Sequence, residues 1–393
     1  MRLHSLSLAA VIVGTILSVA VGGQEPRFKT ETSLVEVDVV VRDSNRQAVR
    51  GLTIADFTVL EDDVRQSITS FAEIDLGLVT HQSDPAGESA PEPSARLKPV
   101  PKLHSGQSAP PVAALVFEQL GPEARKMAAE GARAFAVEAI RSGAVVGVYA
   151  VDRAAHVLAR YTNEPRALEK AIAQAERRAS DPLVYAGEVP DVESGSFGPG
   201  MPSRSTVSDN QFIRGNATID GLKSVVGSLG AAPGRKIIVL FSEGLALAAE
   251  LGGNPDSALD DNRWTRLRSV IDQANGSRIA FYTVDSLGLR AQNPSTAARN
   301  MVRSGVRPFG VEPYVGLESL AKDTGGLYVD ATNDLTAFAR SAVEDLRHYY
   351  LLGYTPGNSA PNEKYRSIKV SVNRPDVTVL ARKGYFAEKP HGR

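Results

Sequence analysis

Val112-Ala-Ala-Leu-Val-Phe-Glu118 and Ile237-Ile-Val-Leu-Phe-Ser-Glu-Gly244 are the two stretches that decide the fold. Each begins with five or six apolar residues and then reaches a carboxylate. Continuous apolar runs of this length, bounded by turn residues, are typical of central strands in a parallel sheet that helices cover on both faces. The sequence therefore predicts an α/β fold with these two strands at its centre.

Oxygen-bearing side chains follow both strands and also open a helix between them. Glu118 closes the first run, Glu243 follows the second, and Thr218 lies in Asn216-Ala-Thr218 at the start of a predicted helix. Ligands of open parallel sheets collect at the carboxyl ends of the strands. Two carboxylates and a hydroxyl that converge there would form an oxygen-rich pocket, which favours a hard divalent cation.

Length and composition exclude several classes of protein. At 393 residues, the chain exceeds the size at which one core usually stays intact, so we expect two folded units. The 44 Lys and Arg residues balance 45 Asp and Glu residues without blocks of like charge, which predicts no nucleic-acid partner. The chain has no cysteine, which excludes disulfides, thiolate metal sites and a cysteine nucleophile.

Residues 1–24 have the pattern of a secretory signal peptide. A basic start precedes an uncharged run from Leu6 to Val21, and small residues follow it. The alternative is an uncleaved anchor, but the run is shorter than the roughly 20 apolar residues of a spanning helix. We therefore expect an extracytoplasmic protein, periplasmic or secreted, with a membrane contact only through an uncleaved signal segment.

Four segments follow this leader. Residues 25–78 contain alternating apolar and polar positions, which predict the N-terminal half of a β-sandwich. Residues 79–110 are rich in Ser, Pro and Gly and are predicted to be a flexible linker. Strands and helices alternate over residues 111–345, which indicates a doubly wound, mostly parallel sheet. Residues 346–388 contain further strands, which we expect to complete the β-sandwich.

Several motifs occur in a fixed order along most of the chain: Leu52-Thr-x-x-Asp56-Phe-x-Val59-x-Glu61-Asp62, Leu115-Val-Phe-Glu-Gln-Leu120, Phe241-Ser-Glu-Gly244, Leu320-Ala-x-x-Thr324-Gly-Gly326, Tyr349-Tyr-Leu-Leu-Gly-Tyr354 and Lys383-Gly-Tyr385. Together they resemble the von Willebrand factor type A family, and more narrowly its acidobacterial extracytoplasmic branch. The resemblance implies that residues 111–345 form a type A domain. It also implies a metal-ion-dependent adhesion site for Mg²⁺ or Mn²⁺.

The sequence departs from the ion site of that family. The first loop of the family reads Asp-x-Ser-x-Ser, and the corresponding positions here are Glu118, Leu120 and Pro122. Thr218 matches the threonine of the second loop, and Glu243 matches the aspartate of the third. Both hydroxyls of the first loop are lost, and each acid is one methylene longer. The site is therefore either a degenerate metal site formed by Glu118, Thr218 and Glu243, or a relic that hydrogen bonds stabilise.

The resemblance implies a non-enzymatic binding or adhesion module whose protein partner docks over Glu118, Thr218 and Glu243. Two long insertions, residues 181–215 and 287–313, are expected to flank this pocket. One alternative is a structural or assembly scaffold that recruits another chain through a sheet edge without metal. Another is a carboxylate-dependent hydrolase, but the chain has a single tryptophan to serve as a sugar platform and no Gly-x-Ser-x-Gly motif.

Overall fold

The computed structural model describes residues 34–76, 110–152, 154–178, 204–245, 258–286, 314–329, 335–358 and 364–387. The predicted signal peptide, the predicted insertion 287–313 and all but the last residue of the predicted linker lie outside these residues.

In chain order, the strands of the described residues are β1 (Val35–Arg42), β2 (Phe57–Glu61), β3 (Val64–Gln66), β4 (Ile68–Asp75), β5 (Val112–Glu118), β6 (Val145–Val151), β7 (Ala155–Thr162), β8 (Lys236–Ser242), β9 (Ile279–Asp285), β10 (Tyr328–Val329), β11 (His348–Tyr354), β12 (Tyr365–Val372), β13 (Thr378–Ala381) and β14 (Gly384–Phe386). The helices are α1 (Pro122–Arg141), α2 (Pro165–Arg177), α3 (Arg204–Gly230), α4 (Ala258–Gly276), α5 (Tyr314–Asp323) and α6 (Leu335–Arg347).

A six-stranded sheet forms the centre of the α/β part, with the strand order β10-β9-β8-β5-β6-β7. Neighbouring strands are parallel except β6 and β7, which are antiparallel. The two strands predicted to be central, β5 and β8, lie side by side, and every residue of both is buried. The fold is therefore mixed α/β with a mostly parallel sheet, as the sequence predicts.

Helices cover both faces of this sheet, because its strands are apolar on both sides. Helices α1, α2 and α6 enclose one core, which includes Phe135 and Phe241. Helices α3, α4 and α5 enclose the other, which includes Leu222 and Phe281. The continuous apolar runs of β5 and β8 are thus explained by burial between two helical layers.

Helix α3 corrects one prediction. The sequence indicates a helix from Thr218, but the helix begins at Arg204, inside the insertion predicted at 181–215. The C-terminal half of α3 packs on the sheet through Ile219, Leu222 and Val226. Once this half is helical, extension through polar residues adds one hydrogen bond per residue and needs no apolar face. The apolar periodicity of the sequence therefore predicted only the half of α3 that packs on the sheet.

Two four-stranded sheets accompany the central one, with strand orders β13-β1-β11-β4 and β14-β12-β2-β3. Their strand pairs are antiparallel, and each sheet combines strands from both ends of the chain, since β1 pairs with β11 and β2 pairs with β12. Val37, Val59, Tyr350 and Ile368 belong to the core that the two sheets share. Strands far apart in sequence thus depend on each other for burial.

The antiparallel sheets contact the α/β part at the amino ends of its parallel strands, which we call the amino edge. Arg278 directly precedes β9, and its Nε donates to Asp38 Oδ2 in β1 at 3.1 Å. Arg42 ends β1, and its Nε donates to Asp345 Oδ1 in α6 at 2.9 Å. We call the region around these two ion pairs the junction.

Candidate functional site at the carboxyl edge

Glu118 is the last residue of β5, at the opposite end of the sheet from the junction. It lies beside Ser242 of β8 and Val151 of β6 in the parallel register. Strands flank β5 on both sides, and Glu118 is 1% exposed. We call the carboxyl ends of the parallel strands the carboxyl edge.

Two hydroxyl groups bind the Glu118 carboxyl. Thr218 Oγ1, in α3, donates to Glu118 Oε1 at 3.0 Å, and Ser242 Oγ donates to Glu118 Oε2 at 2.6 Å. Both donors are fixed in turn: Gln119 Nε2 donates to Thr218 Oγ1 at 2.8 Å, and the Gly244 backbone N–H donates to Ser242 Oγ at 3.0 Å. Both carboxyl oxygens therefore have a protein donor.

The pKa of Glu118 is raised to about 7, from an ordinary value of 4.5. Burial is the main cause, because it disfavours the charged form. The hydrogen bonds from Ser242 and Thr218 lower the pKa, and the charge of Glu243 raises it further. Near neutral pH, Glu118 is thus divided between its protonated and ionised forms.

Glu243 follows β8 and is 5% exposed. Its carboxylate reaches across to the loop after β5, because a Cβ placed on Gly121 would lie 3.1 Å from Glu243 Oε1. The structure therefore gathers Glu118, Thr218 and Glu243 at one place. It adds Ser242 and Gln119, to which sequence reasoning gave no role. The parallel register could have indicated Ser242, since it places that residue beside Glu118.

The donors at this site are all oxygen atoms, which is the set that Mg²⁺ and Mn²⁺ prefer. Within the described residues, however, no three His, Cys, Asp or Glu side chains are grouped so that they could hold a metal ion. The hydroxyls of Thr218 and Ser242 donate into Glu118, where they stabilise the carboxyl in place of a cation. In this conformation hydroxyl donors occupy both carboxyl oxygens of Glu118, and a metal at Glu118, Thr218 and Glu243 stays a prediction.

A small cavity lies next to the site, with an empty volume of about 260 Å³. Gln119, Arg125, Asp152 and Arg178 provide its polar lining. Asp152 and Arg178 form an ion pair at 2.9 Å. Gln119 Oε1 and Arg125 Nε are buried and have no hydrogen-bond partner among the described residues. Two residues of the cavity lining thus each carry a polar atom without a partner among the described residues.

No family model matches this sequence, and no curated protein matches it either. Similar solved structures include the PilB minor pilin from Streptococcus sanguinis, with 14% identity and a TM-score of 0.34 over 61% of this chain and 63% of that chain. The vWF domain of the type V pili tip protein Mfa5 from Porphyromonas gingivalis is 18% identical, with a TM-score of 0.22 over 35% of this chain and 39% of that chain. BatB from Bacteroides thetaiotaomicron is 9% identical, with a TM-score of 0.32 over 60% of this chain and 98% of that chain.

This chain spans less than two thirds of the length of the PilB and Mfa5 chains. At TM-scores this low, the similarities carry no argument about family or function. Among the described residues, no helix combines the length and the apolar content that crossing a membrane requires.

Proposed function

We propose that this chain is an extracytoplasmic, non-enzymatic protein-binding module with a domain of the von Willebrand factor type A family. Its partner docks at the carboxyl edge, over Glu118, Thr218 and Glu243. The site is held by hydrogen bonds rather than by a metal ion. The observation that carries this proposal is the buried Glu118 carboxyl, whose two oxygens both accept hydrogen bonds from neutral hydroxyls.

The burial of Glu118 argues against a hydrolase. A catalytic carboxyl must come within hydrogen-bond reach of the substrate atom that it protonates or attacks. Glu118 is 1% exposed, and Thr218 and Ser242 occupy its oxygens. The same contacts are expected of a group that shapes the edge of the sheet and leaves its outer surface to a partner.

The cavity beside the Glu118 site is bordered by two residues with unpartnered polar atoms, Gln119 and Arg125, within the described residues. A single partner side chain that carries a donor and an acceptor, such as an amide, would satisfy both Gln119 Oε1 and Arg125 Nε. We infer that the partner inserts such a side chain beside the Glu118 site.

Two exposed prolines allow a matched test. Pro122 begins α1 at the carboxyl edge, beside Gly121, and Pro165 begins α2 shortly after β7 ends at the amino edge. Pro122→Trp should block docking by its bulk, whereas Pro165→Trp makes the same substitution at the other end of the sheet. The wild type and both variants, immobilised, are compared for proteins that they retain from the surface and medium of the producing cells.

We expect the wild type and Pro165→Trp to retain the same protein equally, and Pro122→Trp to retain at least tenfold less. If Pro122→Trp retains that protein at the wild-type level, the carboxyl edge is not the docking site. The scaffold alternative then gains support, with strand addition to an edge strand such as the eight-residue β4 as its mode of assembly.

A further inference from the structure

A second cavity lies at the junction, at the amino edge and far from the Glu118 site along β8. Its empty volume is about 270 Å³. The residues of its lining that carry charged or amide side chains are Glu36, Asp38, Arg235, Asn275, Arg278 and Arg382. Three guanidinium groups thus meet two carboxylates, and this charge balance is positive.

One of the three arginines, Arg278, binds both carboxylates of the cavity. Arg278 Nε donates to Asp38 Oδ2 at 3.1 Å, and Arg278 Nη2 donates to Asp38 Oδ1 at 2.5 Å. Arg278 Nη1 donates to Glu36 Oε2 at 3.3 Å. This fork is the geometry in which a guanidinium binds carboxylates most strongly. The other two arginines form no hydrogen bond to these carboxylates. Burial lowers the pKa of Arg235, but the charges of Tyr282, Asp38 and Asp345 outweigh this effect and raise it.

Arg235 is 6% exposed and binds only neutral oxygens among the described residues. Its Nη2 donates to the Gly325 carbonyl at 3.2 Å and lies 3.5 Å from the Tyr282 hydroxyl. Its guanidinium carbon is 5.9 Å from the centre of the Tyr349 ring. Its Nε is buried without a hydrogen-bond partner in the part of the chain that the structure describes.

Arg382 has the same kind of surroundings. Its Nη1 donates to the Asn275 carbonyl at 2.9 Å, and its Nη2 donates to the Glu36 carbonyl at 2.8 Å. Its Nε is likewise buried and unpartnered within the described residues, as is Asn275 Oδ1. Burial lowers the pKa of Arg382, and the more distant charge of Asp38 does not offset this effect.

Buried guanidinium groups require a counter-charge. A buried ion without a partner costs several kcal/mol, and a buried acid can avoid this cost by taking up a proton. Arginine has no such alternative, because it stays protonated in proteins. Within the described residues, Arg235 Nε and Arg382 Nε are donors without a partner, and Asn275 Oδ1 is an acceptor without one. These three atoms therefore point to an anion that can also donate a hydrogen bond.

We propose that the junction cavity binds a small inorganic oxyanion of the phosphate class. Its oxygens would accept from Arg235 Nε and Arg382 Nε, and the O–H of hydrogen phosphate would donate to Asn275 Oδ1. Free phosphate suits the site better than a larger phosphorylated molecule, because the cavity lies between the antiparallel sheets and the α/β part. The anion would join the two parts of the protein at this contact.

Asn275→Asp tests the proposal with a change of almost no volume. The new carboxylate would supply the counter-charge from within the chain. Phosphate should therefore no longer raise the Tm of Asn275→Asp. The Tm in phosphate-free buffer also reflects the loss of the hydrogen bond from Asn275 Nδ2 to the Asp323 carbonyl. For the wild type, phosphate at a hundredfold excess over its Kd should raise the Tm by on the order of 5 °C. Sulfate, which has no O–H near neutral pH, should act more weakly.

Three controls make the result decisive. Sodium chloride at equal ionic strength separates specific binding from a general salt effect. Asn373→Asp makes the same substitution at an exposed position and should respond to phosphate as the wild type does. Arg382→Gln removes one of the two donors and should weaken phosphate binding at least tenfold in calorimetric titration.

The proposal is wrong if phosphate raises the Tm of the wild type no more than sodium chloride does. It is equally wrong if Asn275→Asp and Arg382→Gln respond to phosphate like the wild type, because the ion then binds elsewhere. Neither result bears on the partner site at the carboxyl edge, since that site is tested by Pro122→Trp.

Discussion

The two ends of the six-stranded sheet both bury an ionisable group among neutral partners, with opposite signs of charge. At the carboxyl edge, the Glu118 carboxyl accepts hydrogen bonds from the hydroxyls of Thr218 and Ser242. At the amino edge, the guanidinium groups of Arg235 and Arg382 donate mainly to backbone carbonyls. In neither place do these contacts include a group of opposite charge.

The difference lies in what each group can do at neutral pH. Glu118 can take up a proton, and its raised pKa of about 7 shows that burial makes this uptake favourable. Arginine cannot lose its proton under these conditions. A buried acid can therefore become neutral without a charged partner, whereas a buried guanidinium depends on a carboxylate or on an anion from solution. The predictions below test this contrast.

The largest effect is expected where the amino edge does use a carboxylate. Asp345 is 1% exposed and binds both Arg42 and the Tyr282 hydroxyl, the latter at 2.5 Å. Asp345→Ala would leave the Arg42 guanidinium buried without this partner and unable to deprotonate. We expect a loss of about 3–5 kcal/mol in the free energy of unfolding, measured by urea denaturation.

Glu318→Ala is the matched control, because Glu318 pairs with Lys322 on an exposed part of α5. Loss of this exposed pair should cost less than about 1 kcal/mol. If Asp345→Ala also lowers the free energy of unfolding by less than about 1 kcal/mol, a buried guanidinium is stable among neutral groups. The proposed difference between the two edges of the sheet would then be wrong.

A smaller effect, with a defined pH dependence, is expected at the carboxyl edge. Native Glu118 holds its proton up to about pH 7, whereas the unfolded chain releases it near 4.5. The unfolded state therefore binds fewer protons between these values, so this group makes stability fall as pH rises through the window, by up to about 3 kcal/mol. Glu118→Gln cannot titrate and should gain that much relative to the wild type between pH 4 and pH 8.

Asp272→Asn provides the comparison for this experiment. Burial raises the pKa of Asp272 to about 6, so the difference between this variant and the wild type should stop changing at a lower pH than for Glu118→Gln. Urea denaturation across the pH range measures both differences. If the free energy of unfolding of Glu118→Gln differs from that of the wild type by the same amount at every pH, Glu118 stays ionised in the folded protein. Glu118 would then not be neutralised by burial, and the contrast with the arginines would be wrong.

The smallest effect is expected from divalent metal ions. Because two hydroxyls already stabilise Glu118, millimolar Mg²⁺ or Mn²⁺ should leave the Tm equal to its value in EDTA, for the wild type and for Glu243→Ala alike. A bound ion at a hundredfold excess over its Kd would instead stabilise the fold by about 2.7 kcal/mol. A shift in the wild type that Glu243→Ala loses would establish the metal site and overturn the metal-free form of the proposed function.

The sequence by itself determined the α/β class, because the apolar runs that became β5 and β8 suit only strands buried on both faces. It also singled out Glu118 and Glu243, since residues that follow neighbouring parallel strands lie at one edge of the sheet, and the family resemblance added Thr218. Local pattern and chain order were sufficient for these features.

Only the tertiary structure decided how those residues are bonded. That Ser242 donates to Glu118 depends on the register of β5 and β8, which lie more than a hundred positions apart in sequence. The pairing of Arg278 with Asp38 depends on the contact between two different sheets. The surroundings of Arg235 and Arg382 are likewise assembled from distant segments. Burial, and with it the pKa of Glu118 and the need of the arginines for a counter-charge, arises only when those segments pack together, because a residue's environment is a property of its neighbours in space.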